Sequence, residues 1–318
     1  MCFKSQNKDY AMNKPLVLFL VGPTAGGKTD TAVELAQKIN AEIISADSMQ
    51  VYRKMDILSA KPSKEQLSMV PHHLIDILDP AEEYNAAIFR EKALECIEQI
   101  VAKNKIPLIV GGTGLYVKAL TKGIFSDNAK DEQLRKQLAK EAQHLGNAHL
   151  YERLKQVDPE AASKIHPNDL RRIIRAIEVY EISGSPISEL QSCIEGLDAR
   201  YEYRIFGIRR ERKELYQRIE QRVDLMFEQG FLEEAEKLLA LNLSHTAKQA
   251  LGIKQVKDYK DNKLTLEEAK SLVKRDSRRY AKRQLTWFCA QKDIIWLEAD
   301  DQSGSKELAE KIRSLLSL

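Results

Sequence analysis

One stretch limits what this chain can fold into more than any other: LVLFLVGPTAGGKTDTAVELA, from Leu16 to Ala36. An apolar run typical of a buried strand, Leu16 to Val21, leads into a turn with the spacing G-x-x-x-x-G-K-[ST], and an amphipathic helical pattern follows. The glycines allow backbone N–H groups to surround a phosphate, and the start of the helix adds partial positive charge. The stretch therefore predicts a phosphate-binding loop, the P-loop, for a ligand with two or more phosphates, and it does not specify ATP.

Two side chains of the P-loop have chemical roles of their own. Lys28 supplies a full positive charge, and the Thr29 hydroxyl is placed to hold Mg²⁺, which is the expected cofactor. The predicted phosphate-binding residues are Gly22, Pro23, Thr24, Ala25, Gly26, Gly27, Lys28 and Thr29.

Length and composition exclude several classes of protein. The 318 residues are enough for one large or two linked domains, and 43% hydrophobic residues suffice for a substantial core. The net charge of +3 is so small that any nucleic-acid binding must depend on local clusters of cations. No apolar run is long enough to span a bilayer, and the four cysteines lie too far apart for a zinc ribbon or a disulfide framework. We therefore expect no membrane contact and a reducing, cytoplasmic location.

A carboxylate follows the second predicted strand. The segment AEIISADSMQVYR, Ala41 to Arg53, is predicted to be a short strand that ends at Asp47 and continues as a polar loop. Because the carboxyl ends of parallel strands meet at one edge of a sheet, Asp47 should lie near the P-loop. Its position alone fits a catalytic carboxylate, a helix cap or a group beside Mg²⁺ that does not ligate it. Ser48 and Gln50 carry groups suited to contact with a base edge.

A second glycine-rich turn should face the first. A buried strand, Ile106 to Val110, precedes the turn GGTG, Gly111 to Gly114, and another helix pattern follows it. The glycines are explained at least partly by turn geometry, whereas Thr113 places the turn's one hydroxyl at the predicted edge. Between these strands a proline-punctuated segment is predicted to be loop, with His72 and His73 as turn residues because adjacent histidines are poorly spaced for metal binding.

The order of elements predicts an α/β fold with a P-loop NTPase-like parallel sheet, flanked by helices and interrupted by an all-helical insertion. From Asp131 to Leu190 the sequence has helical periodicity and no β-type run, and strand patterns return at Tyr203 to Arg210. The predicted boundaries are a disordered tail at 1–13, the first part of the core at 14–125, the insertion at 126–198 and the second part of the core at 199–318.

Cations cluster on several predicted helices. In the insertion, Arg171 and Arg175 share a helix face, which fits either a solvated surface or a nucleic-acid contact. In the core, Arg218 and Arg222 lie one turn apart and could hold a pyrophosphate, or pair with nearby glutamates. The C-terminal helix KSLVKRDSRRYAKRQLTWF has two cationic rows with aromatic residues between them, as phosphate-backbone binding requires, and only Asp276 opposes them within that segment. The rows are Lys274, Arg278 and Lys282, and Arg275, Arg279 and Arg283.

The chain resembles the tRNA dimethylallyltransferases, the isopentenyl transferases that act on tRNA. The resemblance covers about Leu16 to Trp296, and its specific motifs are SADSMQVYR, PLIVGGTGLYVKAL and KRQLTWF. Other matching segments are GPTAGGKT, PHHLID, DPAEEYNAAIFR, NDLRRIIRAIEVYEISG, RIEQRVDLMFEQGFLEE and ALGIKQ. The family usually has serine where Gly26 stands, and the zinc-finger extension of some eukaryotic members is absent.

The resemblance implies transfer of the allyl group of dimethylallyl diphosphate to the exocyclic N6 amine of the adenine just 3′ of the anticodon, with release of diphosphate. By the same resemblance Asp47 accepts a proton from the amine, Thr113 orients it, and Lys28 and an arginine, assigned to Arg222, stabilise the leaving diphosphate. The implied partners are dimethylallyl diphosphate and a tRNA anticodon stem-loop, and we expect a monomer. The alternatives from other classes are a prenyltransferase for free adenylate, a small-molecule P-loop kinase and a non-catalytic RNA-binding protein.

The resemblance also implies which residues contact tRNA. They are Asp47, Ser48, Met49, Gln50, Thr113, Arg135, Arg171, Arg172, Ile173, Ile174, Arg175, Gln249, Ala250, Leu251, Gly252, Ile253, Lys254, Lys282, Arg283, Gln284, Leu285, Thr286, Trp287, Phe288 and Cys289.

Overall fold

A six-stranded parallel sheet forms the centre of the protein, which confirms the predicted α/β fold. The computed structural model describes residues 14–125, 131–192, 194–300 and 304–317, so the tail predicted at 1–13 lies outside the described residues. The strands are β1 (Leu16–Val21), β2 (Ala41–Ser45), β3 (His72–His73), β4 (Ile106–Gly111), β5 (Glu202–Arg210) and β6 (Ile294–Ala299). Their order across the sheet is β3-β2-β4-β1-β5-β6.

Helices connect the strands and form the interruption between β4 and β5. They are α1 (Lys28–Lys38), α2 (Lys64–Met69), α3 (Ala86–Ala102), α4 (Gly114–Lys122), α5 (Glu132–Leu145), α6 (Asn147–Val157), α7 (Pro159–Lys164), α8 (Leu170–Ser183), α9 (Ile187–Ser192), α10 (Arg212–Glu228), α11 (Phe231–Leu239), α12 (Ile253–Lys260), α13 (Leu266–Cys289) and α14 (Ser305–Leu316), with 3-10 turns at Leu197–Ala199 and Ala247–Gln249. In the described ranges, none of these helices is long and apolar enough to cross a membrane.

The sheet brings the two glycine-rich turns together. β1 lies between β4 and β5, and its last residue, Val21, is in register with Gly111 of β4 and Gly207 of β5. The P-loop and the GGTG turn therefore leave neighbouring strands at the same level of the same edge. β1 is apolar and buried from Val17 onward because neighbouring strands flank it on both sides and helices cover its faces.

One face of the sheet packs against the helices that follow β1 and end the chain. The core on this side joins Leu18 of β1 and Phe206 of β5 to Leu35 of α1 and Ile312 of α14, all at most 1% exposed. This packing holds α1, and with it the N-terminal end that completes the P-loop, against the centre of the sheet.

The prediction that His72 and His73 are turn residues was wrong. They form the short edge strand β3, parallel to β2 with Ile43 opposite His72. His73 Nε2 lies 2.8 Å from Oε2 of Glu42, a buried carboxylate of β2 whose Oε1 also accepts from Lys105 Nζ at 2.9 Å. A tertiary ion network therefore stabilises this strand, and such a network has no local sequence pattern.

The contacts between residues divide the chain into two compact units. The first contains the described residues up to Val117 and from Leu197 onward, and the second, the insertion, is Lys118–Gly196. The insertion thus begins inside α4, earlier than the residue 126 expected from the sequence. It has its own apolar core, which includes Leu138, Leu154 and Ile177.

Candidate active site

The P-loop has the backbone conformation of a phosphate cradle. Gly22 and Gly27 have φ values of +145° and +96°, which residues other than glycine rarely adopt. At Gly22 a Cβ atom would also lie 2.7 Å from the carbonyl oxygen of Ile208 in β5. Lys28 Nζ donates to the carbonyl oxygen of Pro23 at 2.7 Å, so its ammonium group lies across the loop.

Four side chains from distant parts of the sequence hold the P-loop in place. Arg210 of β5 donates through Nε to the Gly26 carbonyl at 3.2 Å, and Arg218 of α10 donates through Nε to the Ala25 carbonyl at 3.1 Å. Arg222, one turn later, donates through Nη1 to Thr24 Oγ1 at 3.1 Å, and the Thr24 N–H donates to Gln284 Oε1 of α13 at 2.8 Å. Arg210 was not predicted to contact the P-loop, and Gln284 was predicted to contact tRNA; both P-loop contacts are long-range and leave no local signal.

Charges near the P-loop influence one another strongly. Burial lowers the pKa of Lys28 to about 8, the neighbouring guanidinium of Arg222 acts in the same direction, and the Asp47 carboxylate opposes both. Burial likewise lowers the pKa of Arg222, and Asp47 and Asp30 oppose that effect. Lys28 and Arg222 thus lie close enough to repel each other, and such neighbouring cations suit an anionic ligand.

Asp47 lies at the end of β2 with its two oxygens in different environments. Oδ1 accepts from the backbone N–H of Met49 at 2.8 Å and of Gln50 at 3.3 Å, so Asp47 caps its own turn. Its other oxygen, Oδ2, makes no hydrogen bond to the part of the chain that the structure describes. One oxygen therefore fixes the carboxylate, and the other remains available to accept a proton.

Thr113 and Tyr280 lie at the same edge as Asp47. The Thr113 N–H donates to the carbonyl of Ala46 at 3.4 Å, which joins the GGTG turn to the residue before Asp47. Thr113 Oγ1 is buried without a well-formed hydrogen bond to any described residue, although Thr113 is close enough to Tyr280 of α13 to affect the pKa of the phenol. Burial and the charge of Asp47 raise that pKa to about 12. Sequence analysis treated Tyr280 only as an aromatic residue among cations.

Two cavities share a group of lining residues that includes Asp47 and Tyr280. The first, about 460 Å³, follows the P-loop from Thr24 to Asp30 and reaches Arg218 and Gln284. The second, about 310 Å³, runs between the loop after β2 and helices α10 and α13. The residues that line both are Thr24, Ala25, Asp47, Ser59, Arg222 and Tyr280. Phosphates in the first cavity and an acceptor in the second would thus approach each other beside Asp47. Arg222 lines both cavities and Arg218 only the first, which favours Arg222 at the reacting end of the phosphates.

The residues around the P-loop fit a magnesium ion held chiefly by phosphate. Thr29 lines the first cavity, and the described ranges contain no cluster of three or more histidine, cysteine, aspartate or glutamate side chains that could hold a metal. Mg²⁺ needs few protein ligands when phosphate oxygens and water complete its octahedron.

The structure divides the predicted tRNA-contacting residues by exposure. One group is buried: Ile173, Ala250, Gly252, Ile253, Gln284 and Phe288. A second group is exposed: Arg171, Arg172, Gln249, Lys254, Lys282, Arg283, Thr286, Trp287 and Cys289. The remainder are partly buried: Asp47, Ser48, Met49, Gln50, Thr113, Arg135, Ile174, Arg175, Leu251 and Leu285. Asp47, Ser48, Met49, Gln249, Leu251 and Arg283 line the second cavity.

Gln50 is less available than its sequence position indicates. Its Oε1 accepts from Ser45 Oγ at 2.8 Å, and its Nε2 donates to the carbonyl of Ala60 at 3.3 Å. The amide therefore stabilises the loop after β2, and reading a base edge would require it to leave both partners.

The two cationic rows of α13 differ in their surroundings, because acids of α10 oppose one row in addition to Asp276 of the same segment. In one row, Lys274 pairs with Asp224 at 2.7 Å, and Arg278 pairs with Glu220 at 2.6 Å, both acids belonging to α10. In the other row, Arg279 is 63% exposed and its ion pair with Asp276 is long, at 3.6 Å. Beyond these pairs Lys282 and Arg283 are exposed, and Arg283 lies over the Tyr280 ring.

In the insertion, two of the predicted RNA contacts bind a buried carboxylate. Glu178 of α8 is fully buried; Arg135 donates to both its oxygens at 2.8 and 2.9 Å, and Arg175 donates at 2.8 Å. These partners hold the pKa of Glu178 below its usual value against the effect of burial. Arg171 and Arg172 are exposed on the same helix.

Comparisons with known proteins point to one family. A model of the IPP transferase family matches residues 50–291. The tRNA dimethylallyltransferase of Acetivibrio thermocellus is 44% identical over 95% of this chain and 97% of its own length, and that of Carboxydothermus hydrogenoformans is 47% identical with the same coverage. Among solved structures, the tRNA isopentenylpyrophosphate transferase of Bacillus halodurans is 42% identical, with a TM-score of 0.71 and 96% of each chain covered. A eukaryotic dimethylallyltransferase acting on tRNA is 29% identical, with a TM-score of 0.81 over 95% of this chain and 78% of that one.

Proposed function

The chain belongs to the IPP transferase family of tRNA dimethylallyltransferases, and from that membership we propose that it transfers the dimethylallyl group of dimethylallyl diphosphate to tRNA. The acceptor is the exocyclic N6 amine of the adenine immediately 3′ of the anticodon, and diphosphate is released. The single observation that carries the proposal is the meeting of the two cavities at Asp47 and Arg222. A phosphate-bearing donor and an RNA base can approach each other there from different sides.

On the acceptor side, the amine must lose a proton as it forms a bond to carbon. The N6 lone pair is delocalised into the adenine ring, so the amine is a weak nucleophile. The amine nitrogen attacks C1 of the allyl group, and Asp47 Oδ2 accepts the proton while Oδ1 stays fixed by two backbone amides. In this proposal Thr113 Oγ1, which is buried without a well-formed hydrogen bond to any described residue, would accept from the same amine.

On the donor side, the bond between C1 and the diphosphate oxygen breaks, and negative charge develops on the leaving diphosphate. The P-loop amides, Lys28 and Arg222 neutralise that charge. Mg²⁺ would be held by Thr29 together with the diphosphate, and when bound it supplies further charge neutralisation. The P-loop in this proposal binds a leaving group and transfers no phosphoryl group.

The target base must leave the anticodon loop to reach the second cavity. RNA-modifying enzymes reach buried atoms of a base by extruding the nucleotide, at a cost of a few kcal/mol. Arg283 is exposed and lines the second cavity, and it and the adjacent exposed Lys282 would contact the flanking phosphates. All these groups come from one chain, so we propose that a monomer suffices, acting on tRNA in the cytoplasm.

One experiment tests the proposal against its alternatives. The protein is incubated with dimethylallyl diphosphate labelled in the allyl group and with unmodified tRNA, AMP or no acceptor, and a parallel reaction contains ATP in place of the allyl donor. Label in the tRNA, located at the adenine 3′ of the anticodon by nuclease digestion, supports the proposal. Label that moves only to AMP, or ATP consumption without labelled tRNA, contradicts it in favour of an adenylate prenyltransferase or a kinase.

A further inference from the structure

We propose that Gln284 is a positioning residue that sets the distance between the P-loop and the GGTG turn, and hence between donor and acceptor. This inference rests on the proposed function, because it assigns the donor to one loop and the acceptor amine to the other. Gln284 is 6% exposed and lies on the inner face of α13.

A single buried amide joins the two loops. Gln284 Oε1 accepts from the backbone N–H of Thr24 in the P-loop at 2.8 Å. Its Nε2 donates to the backbone carbonyl of Gly112, the residue before Thr113, at 3.0 Å. Both loops are bonded through the main chain, so a shift of the amide would move the loops themselves rather than side chains upon them.

The fit around this amide leaves no room for a side chain at Gly112. A Cβ atom there would lie 2.1 Å from Gln284 Nε2 and 3.2 Å from the carbonyl oxygen of Gly22. Gly112 does not have a positive φ, so its backbone conformation does not require glycine. The main reason for glycine at this position is therefore the close approach of Gln284.

The position of Gln284 on α13 connects this clamp to the reaction centre. Tyr280, one helical turn earlier, lines both cavities, and Gln284 itself lines the first. Donor and acceptor each have their own binding groups, so loosening the clamp should leave both bound but misplaced. Errors of about 1 Å in the approach of reacting atoms can cost on the order of 10² in rate. The expected signature is a loss in kcat with little change in KM.

The first test replaces Gln284 with methionine, which has a similar length and no amide. For Gln284→Met we expect kcat to fall by about tenfold to hundredfold, and the KM values for both substrates to change by less than about threefold. The amide of Thr24 should exchange with solvent faster in the free protein. The matched control is Gln291→Met, because Gln291 is exposed just beyond α13; it should match wild type. A kcat within twofold of wild type, or a loss of kcat fully explained by a smaller folded fraction, overturns the inference.

The second test is a double-mutant cycle, which measures the coupling between Gly112 and Gln284 rather than the effect of either substitution alone. The Gly112→Ala substitution should strongly lower kcat and thermal stability when Gln284 is present. It should lower them much less in a Gln284→Ser background, where the clashing amide is absent. Simple addition of the two effects in kcat and in thermal stability would overturn the inference. If the wild-type protein transfers no labelled allyl group to tRNA, the proposed function fails instead. Hydrogen exchange at the backbone N–H of Thr24 still tests whether Gln284 holds the P-loop.

Discussion

Asp47 illustrates how one carboxylate can serve both structure and reaction. Its Oδ1 caps the turn after β2, Asp47 lines both cavities, and Oδ2 accepts no hydrogen bond from the described residues, so the cap and the catalytic interpretations are compatible. Sequence position placed Asp47 correctly at the edge of the sheet, because the carboxyl ends of parallel strands coincide. It could not distinguish the roles of the two oxygens, since these depend on the turn geometry of Met49 and Gln50.

Replacing Asp47 with asparagine tests the proton-accepting role. Asparagine retains an oxygen to cap the turn and removes the basic oxygen, so Asp47→Asn should keep tRNA affinity and lower kcat by on the order of 10²–10⁴. Single-turnover transfer and tRNA binding are measured on the same samples. An unchanged transfer rate would remove Asp47 from the mechanism, whereas weaker tRNA binding alone would assign it a structural role.

The lowered pKa of Lys28 makes donor binding depend on pH. Its pKa in the free protein is about 8, and a bound diphosphate must raise that pKa because it stabilises the ammonium form. Binding therefore takes up a proton, and affinity should be constant below about pH 7 and fall by up to about tenfold per pH unit above the pKa. The dissociation constant of an unreactive thio analogue of the donor, measured from about pH 6.5 to about pH 9.5, shows this dependence. In Lys28→Arg the guanidinium does not titrate in this range, so the fall in affinity above the pKa of Lys28 should disappear. A fall that persists in this variant would mean that another group takes up the proton.

At the scale of elements, the sequence predicted helices and strands well where periodicity decides them and poorly where tertiary contacts do. Strands β1 and β4 and the helical character of the insertion follow from local pattern. The edge strand β3 has a contact with the buried Glu42, and Lys274 and Arg278 of α13 pair with acids in α10. Such pairings join residues distant in sequence, so local pattern cannot predict them.

The exposed arginines of helix α8 and the arginines that pair with its buried Glu178 should have separate effects. Arg171 and Arg172 are exposed, so changing both to glutamine should weaken tRNA binding and alter the unfolding free energy by less than about 0.5 kcal/mol. Arg135→Gln should instead destabilise the insertion by roughly 1–3 kcal/mol, because it leaves part of a buried carboxylate unpaired. Thermal unfolding and tRNA titration of both variants distinguish these effects. If the two variants unfold with equal free energy, the ion pair of Arg135 with Glu178 does not stabilise the insertion.

At the scale of the whole molecule, net charge is a poor guide to RNA binding. Fifty lysines and arginines face 47 aspartates and glutamates, and many of the cations are paired within the protein. The cations left to bind RNA phosphates form a local set that includes Arg279, Lys282 and Arg283 on α13. The salt dependence of binding counts the phosphates that such residues contact, whatever the total charge.

Two double variants with the same change in net charge separate local contact from overall attraction. Lys282→Gln with Arg283→Gln removes two exposed cations of α13, of which Arg283 lines the second cavity, and Lys306→Gln with Lys311→Gln removes two exposed cations of α14. If local contacts bind RNA, the first pair should weaken tRNA binding and reduce the slope of log affinity against log salt by about 0.7 per lost phosphate contact, and the second should change neither. Titrations at several salt concentrations give both slopes. Equal changes in the two variants would mean that overall charge governs association, and the assignment of α13 as an RNA-binding helix would then be wrong.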